Sequence, residues 1–263
     1  LKDQLKRDIQ IKQAPKRIVS LVPSQTELLY DLGLEKSIVG ITKFCVHPKH
    51  FLKSKTIVGG TKQIKLEKIK DLQPDIILCN KEENTEDIVL VCEKITVVHV
   101  SNIESILDCL DMIQQYGEIF NKREEASVIS KAIQQNLKDF KIFIKDKPIL
   151  TVAYFIWKNP WMVAGKNTFI NELLELNKFK NVYKYFGRYP EIKLKSQNDV
   201  ILVLLSSEPF PFKEKHIREL QQYCPKTHIQ LVDGELFSWY GSRLIKSFNY
   251  FKSIHLNLEN HFV

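Results

Sequence analysis

Residues 17–34 read RIVSLVPSQTELLYDLGL, a β-branched apolar run that meets Pro23 and passes at once into a helical pattern. A mostly apolar run over 17–22, without polar alternation, predicts a strand buried on both faces, and the spacing after Pro23 predicts a helix packed behind it. Six further runs repeat this logic at 37–42, 75–79, 96–100, 149–155, 200–205 and 228–232, with helical patterns between them. Buried strands alternating with helices define an α/β class with parallel sheets. At the corner itself, Ser24-Gln25-Thr26-Glu27 fits a capping box, with the Ser24 hydroxyl accepting from the backbone at Glu27 and the Glu27 carboxylate reaching back. That leaves Gln25 and Thr26 at a helix amino end, where free N–H groups favour polar or anionic ligands.

From 121 to 146 the sequence NKREEASVISKAIQQNLKDFKIFIKD lacks Gly and Pro and repeats Ile129, Ile133, Leu137, Phe140 and Ile144 at helical spacing. It predicts one long helix in mid-chain, with an α/β lobe on each side: residues 1–120, the connecting helix 121–146, and residues 147–263. The lobes echo one another. IKLEKIKDLQPDIILCNKEEN at 64–84 and IKLKSQNDVILVLLSSEPF at 192–210 both run from Ile-Lys-Leu into a strand and then a polar loop, which favours two similar halves over one continuous sheet.

The 263 residues are 44% hydrophobic and 10% aromatic, which is the composition of a packed globular chain. The longest apolar runs, such as VILVLL at 200–205, fall far short of the roughly 20 residues that a spanning helix needs. The opening LKDQLKRDIQIKQAPKR is charged and shows no signal-peptide core, which leaves a cytoplasmic setting open. Five cysteines form no C-x-x-C pair, so buried, reduced thiols are expected. The net charge of +8 is dispersed, with lysines interleaved among acids as in FKEKHIREL, a pattern that argues against a nucleic-acid face.

Loops at the carboxyl ends of parallel strands face the binding crevice. That rule selects residues 23–27, 43–50, 80–84 and 100–102 in the first lobe, and 157–161, 206–212 and 233–240 in the second. KFCVHPKH at 43–50 offers Cys45, His47 and His50 as weak metal-ligand candidates, short of the four-ligand motif a zinc site wants. CNKEEN places Lys81, Glu82, Glu83 and Asn84 directly after a buried strand, and Glu208 of SSEPF holds the corresponding place in the second lobe. YFIWKNPW carries Trp157 and Trp161, and LFSWYG carries Trp239; such plates suit a large, flat, partly apolar ligand. There is no G-x-S-x-G elbow, P-loop or G-x-G-x-x-G, so binding outweighs turnover.

Taken together, RIVSLVPSQTELLYDLGL, VGITKFCVHP, LEKIKDLQPDIILCNKEEN, the long central helix, MVAGKNTFINELLELNKFKNVY and VDGELFSWYGSRL resemble the substrate-binding proteins of ABC importers for vitamin B12 and ferric siderophores, and more narrowly their cobalamin-binding branch. The resemblance covers residues 17–251 in order. It implies a fold like the class III periplasmic binding proteins, two α/β lobes joined by one rigid helix, with a ligand held in the cleft. It implies a periplasmic or cell-envelope location, no intrinsic cofactor, a cobalamin or ferric siderophore as cargo, and an ABC permease as partner.

On that reading Trp157, Trp161 and Trp239 stack on the ligand and Phe44 closes one edge. Ser24, Gln25, Thr26, Lys81, Glu82, Glu208 and Phe210 supply the remaining contacts. The acidic residues that such proteins present to their permease match Glu86, with Glu83 beside it, and Glu214 or Glu219. Asn80 and Lys81 stand where the cobalamin binders place an aromatic, a more polar wall that suits a polar or anionic ligand. Two other readings remain on the same fold: an intracellular tetrapyrrole- or metal-handling protein using Cys45 and His47, and a protein-interaction module whose cleft is filled by its own side chains.

Overall fold

The computed structural model of the chain describes residues 1–194 and 200–262. They form two compact units, Leu1–Gln134 with Tyr240–Ile245, and Gln135–Trp239 with Lys246–Val263. The first contains β1 (Ile18–Ser20), α1 (Pro23–Asp31), β2 (Ile38–Ile41), α2 (Phe51–Ser54), β3 (Thr56–Ile57), α3 (Leu66–Asp71), β4 (Ile76–Asn80), α4 (Glu86–Glu93), β5 (Val97–Ser101) and α5 (Ile106–Ile119). The helix α6 (Arg123–Ile144) starts in the first unit and ends in the second. Then come β6 (Leu150–Trp157), β7 (Met162–Val163), α7 (Phe169–Leu176), β8 (Phe179–Asn181), β9 (Leu202–Ser206), α8 (Glu214–Gln221), β10 (His228–Val232), α9 (Glu235–Ser238) and α10 (Leu244–Phe262).

The first sheet runs β3-β2-β1-β4-β5 and is parallel throughout. Its central strands are buried on both faces, as their mostly apolar sequences require: every residue of β1 and β4 is enclosed, with Val19, Ile77 and Cys79 packed against Ile69 of α3 and Ile88 and Cys92 of α4. The second sheet runs β10-β9-β6 in parallel. On the other edge of β6, β8 pairs parallel with Leu150–Val152, whereas β7 pairs antiparallel with Phe155 and Trp157. All seven strands read from apolar runs are present. Among the described residues, the strands that pattern reading missed are β3, β7 and β8, two or three residues long; β1 is as short but lies within the longer apolar run at 17–22.

The predicted stripe on α6 holds, with Ile129, Ile133, Phe140 and Ile144 buried, and in the second unit Phe140 meets the rings of Phe248 and Phe251 on α10. All five cysteines are buried and unpaired. The second member of the sequence echo includes residues 195–199, which lie outside the described residues.

The charged amino end has a structural task that its composition did not announce. β5 is an edge strand, and unpaired edge groups invite foreign strands. Here Val100 N donates to Asp3 Oδ2 (3.2 Å), Asn102 N donates to Gln4 Oε1 (3.1 Å), and Arg7 Nη2 donates to Val98 O (3.0 Å), so side chains of the first residues close that edge.

Candidate functional site

In each unit the strand order reverses beside the first strand, and such a reversal opens a crevice at the carboxyl ends of the flanking strands. In the first unit it lies between β1 and β4, and in the second between β6 and β9.

At the β1 end, the structure corrects the capping-box expectation. The residue preceding α1 is Val22, which offers no side-chain cap, and Pro23 takes the first helical position, where its missing N–H costs nothing. Ser24 and Glu27 therefore lie inside the helix. Glu27 instead accepts a two-point ion pair from Arg243, Nε to Oε2 at 2.7 Å and Nη2 to Oε1 at 3.0 Å, in a buried setting. Gln25 and Thr26 are buried as well. Gln25 Nε2 donates to Ser101 Oγ (2.6 Å) and Tyr240 OH (3.2 Å), and Gln25 Oε1 accepts from Tyr116 OH (2.7 Å). Thr26 Oγ1 bonds Ser20 Oγ (2.8 Å) and Val22 O (2.9 Å) and lies 3.1 Å from Cys45 Sγ. Both residues hold the corner together from within.

The loop after β4 is closed by two asparagines. Asn80 Oδ1 accepts from the backbone N–H of Glu82 (2.8 Å) and Glu83 (3.2 Å), while Asn84 Oδ1 accepts from Asn80 N (2.9 Å). This Asx geometry leaves Lys81 exposed and Glu82 and Glu83 half-buried at the rim. Glu86 is exposed in the first turn of α4, where its charge suits the helix dipole. After β2, Phe44 is 48% exposed with Lys43 Nζ 5.0 Å above its ring.

Cys45, His47 and His50 do not converge. Cys45 is buried against Thr26 and Thr42, where burial pushes its thiol up, and His50 Nε2 meets Glu35 Oε1 at 2.8 Å. Among the described residues no three His, Cys, Asp or Glu side chains gather as a metal site.

The second unit presents aromatics. Trp157, at the end of β6, is 38% exposed and meets Phe210 edge-on at 5.7 Å. Trp161 is half-buried, stacked on Phe212 at 6.0 Å with Lys158 Nζ 5.2 Å above it, and Phe210 and Phe212 both pack on His216. Lys158 also pairs with Glu219, so of the two acidic candidates on α8 it is Glu214 that stands exposed. Trp239 departs from the stacking expectation: it is buried, and its Nε1 donates to Glu208 Oε1 at 2.9 Å beside Ser238 Oγ at 2.6 Å.

Burial pushes the Glu208 carboxyl above its usual range; the charges of Glu235 and Asp233 add to this, and the bonds from Ser238 and Trp239 oppose it. A carboxyl raised on folding binds its proton more tightly in the folded state, so its contribution is present at low pH and is lost as pH rises through the raised value. Glu208→Gln is therefore expected to gain stability relative to the unaltered chain between about pH 4 and about pH 7, as read from urea midpoints at the two pH values.

Each of the two α/β units carries a reversal in strand order edged by aromatic or polar side chains. The model of the Periplasmic binding protein family matches residues 18–203, and the chain belongs to that family. It is 31% identical over 190 residues to the uncharacterized ABC transporter substrate-binding lipoprotein YvrC of Bacillus subtilis, covering 68% of this chain and 59% of that protein. It is 29% identical over 177 residues to a vitamin B12-binding protein of Vibrio vulnificus, covering 61% of this chain and 64% of that one. The aligned region thus spans about three fifths of the length of either relative. The solved periplasmic vitamin B12 binding protein BtuF of Vibrio cholerae shares the fold at a TM-score of 0.79 and 17% identity, over 93% of this chain and 98% of that one.

Among the buried supports, Ser101 and Tyr240 lie in loops that the strand-end rule selects but were given no role there, and Tyr116 and Arg243 escaped the sequence reading. Their partners lie 76 to 216 residues away, and no local spacing marks them.

Proposed function

We propose that this chain is the solute-binding component of an ABC importer, capturing a corrinoid or ferric-siderophore-type chelate outside the cytoplasmic membrane and passing it to a permease without chemical turnover. The observation that carries the reading is the placement of Trp157, Phe210 and Glu208 on the β6–β9 reversal of one unit, and of Phe44, Lys81 and Glu82 at strand ends of the other. Aromatic plates with a few polar points are what a flat metal chelate with polar substituents requires. Lys81 gives the first unit a cationic contact that favours an acidic or phosphate-bearing ligand. Gln25, Thr26 and Trp239 act behind this surface, as supports. Glu86 and Glu214, exposed in the first turns of α4 and α8, are the docking residues we assign toward a basic permease surface.

Titration with cyanocobalamin and with ferrichrome tests the reading through tryptophan fluorescence. Saturable quenching by one of them is expected, and Trp157→Ala is expected to weaken that binding about tenfold, the cost of losing a central aromatic contact. Absence of quenching by either probe counts against the reading.

A further inference from the structure

The stretch Ser238-Trp239-Tyr240-Gly241-Ser242-Arg243 changes unit between its second and third residues. Its side chains end on different partners. In the second unit Ser238 Oγ and Trp239 Nε1 both donate to Glu208 Oε1, at 2.6 and 2.9 Å. In the first, Tyr240 OH accepts from Gln25 Nε2 at 3.2 Å, and Gly241 N donates to Cys109 Sγ at 3.0 Å.

From Tyr240 the bonding continues. The same Gln25 Nε2 donates to Ser101 Oγ (2.6 Å), Asn80 Nδ2 donates to that oxygen (3.0 Å), and Asn80 Oδ1 accepts the backbone N–H of Glu82 and Glu83. Tyr240, Gln25, Ser101 and Asn80 are all buried, so the chain of bonds runs without solvent to exchange partners with. Buried polar groups that satisfy one another fix each other's orientation.

We propose that residues 238–243 are the positioning element for the ligand-facing loops of both units: Tyr240 sets the Glu82–Glu83 backbone through Gln25, Ser101 and Asn80, and Trp239 sets the Glu208 carboxylate directly. This rests on the reading that those loops face the ligand, but its test does not need a ligand. Tyr240→Phe removes the oxygen at one end of the relay and keeps the ring. Ser101→Ala removes the oxygen that Gln25 and Asn80 share.

Amide hydrogen exchange of the full chain, resolved by residue, is expected to show protection at Glu82 and Glu83 reduced about tenfold in each variant, the scale of one hydrogen bond lost. The double variant is expected to be no worse than Ser101→Ala alone, because the two changes break one path. Trp239→Phe is expected to leave those two amides as they are and to raise the titration midpoint of Glu208, followed by carboxyl NMR, because a donor to the carboxylate is gone.

Wild-type exchange at Glu82 and Glu83 in Tyr240→Phe and Ser101→Ala overturns the relay, as does a loss of protection spread evenly over the first unit. An unmoved Glu208 midpoint in Trp239→Phe overturns the other arm. If exchange behaves as expected and neither cyanocobalamin nor ferrichrome binds, the positioning role stands and the ligand class falls.

Discussion

Replacing Arg243 with alanine is expected to destabilise the first unit by about 3–5 kcal/mol, the cost of leaving a buried carboxylate without its ion-pair partner. Glu27 and Arg243 are each 6% exposed and meet through two parallel bonds, the planar geometry that guanidinium and carboxylate share. A pair this enclosed gains little from salt screening and loses heavily when halved. Urea denaturation followed by far-ultraviolet circular dichroism reads the loss as a lower midpoint.

Replacement of both partners, Glu27→Leu with Arg243→Met, is expected to recover most of the stability, since a buried pair exchanged for apolar groups of similar volume is often neutral. If Arg243→Ala costs less than about 1 kcal/mol, the range of a surface pair, the buried ion pair is not what anchors Tyr240–Ile245 to the first unit.

Gly234→Ala is the second large effect expected. A Cβ built on Gly234 overlaps Ser206 Oγ and lies 2.7 Å from Glu208 Cγ and 3.0 Å from Glu208 N. Ser206 has no room to yield, because its hydroxyl accepts from the buried Tyr154 (3.2 Å) and donates to the Glu208 carbonyl. The turn carrying Glu208 must shift instead, which loosens the bonds from Ser238 and Trp239. Overpacking of this kind costs about 1–3 kcal/mol. A parallel loss of affinity for whichever of cyanocobalamin and ferrichrome binds is expected, because the Glu208 contact moves with the turn. An alanine variant with unchanged urea midpoint and unchanged titration would show that the turn tolerates the methyl group.

The seven strands that lie in apolar runs and α6 were legible in the sequence because burial on two faces, or on one helical stripe, writes itself as a run or a period of apolar residues. Where the reading failed, the deciding partner was distant. Ser24 and Glu27 have the spacing of a capping box, and Pro23 as a first helical residue was the local signal that the helix begins one position earlier. Nothing near Glu27 announces Arg243, 216 residues further on. Trp239 was read as a ligand plate as one of several aromatics in the second lobe; its indole N–H bond to Glu208 appears only once the loops after β9 and β10 are brought together. Trp157 and Lys81, by contrast, are exposed at strand ends, where topology alone placed them.

Native mass spectrometry of the purified chain, after incubation with cyanocobalamin, ferrichrome and an equimolar non-chelate control, tests the central claim most directly. The account predicts one chelate retained at a ratio of one to one and displaced from the Trp157→Ala variant. Retention of neither chelate, or equal retention of chelate and control, would contradict it.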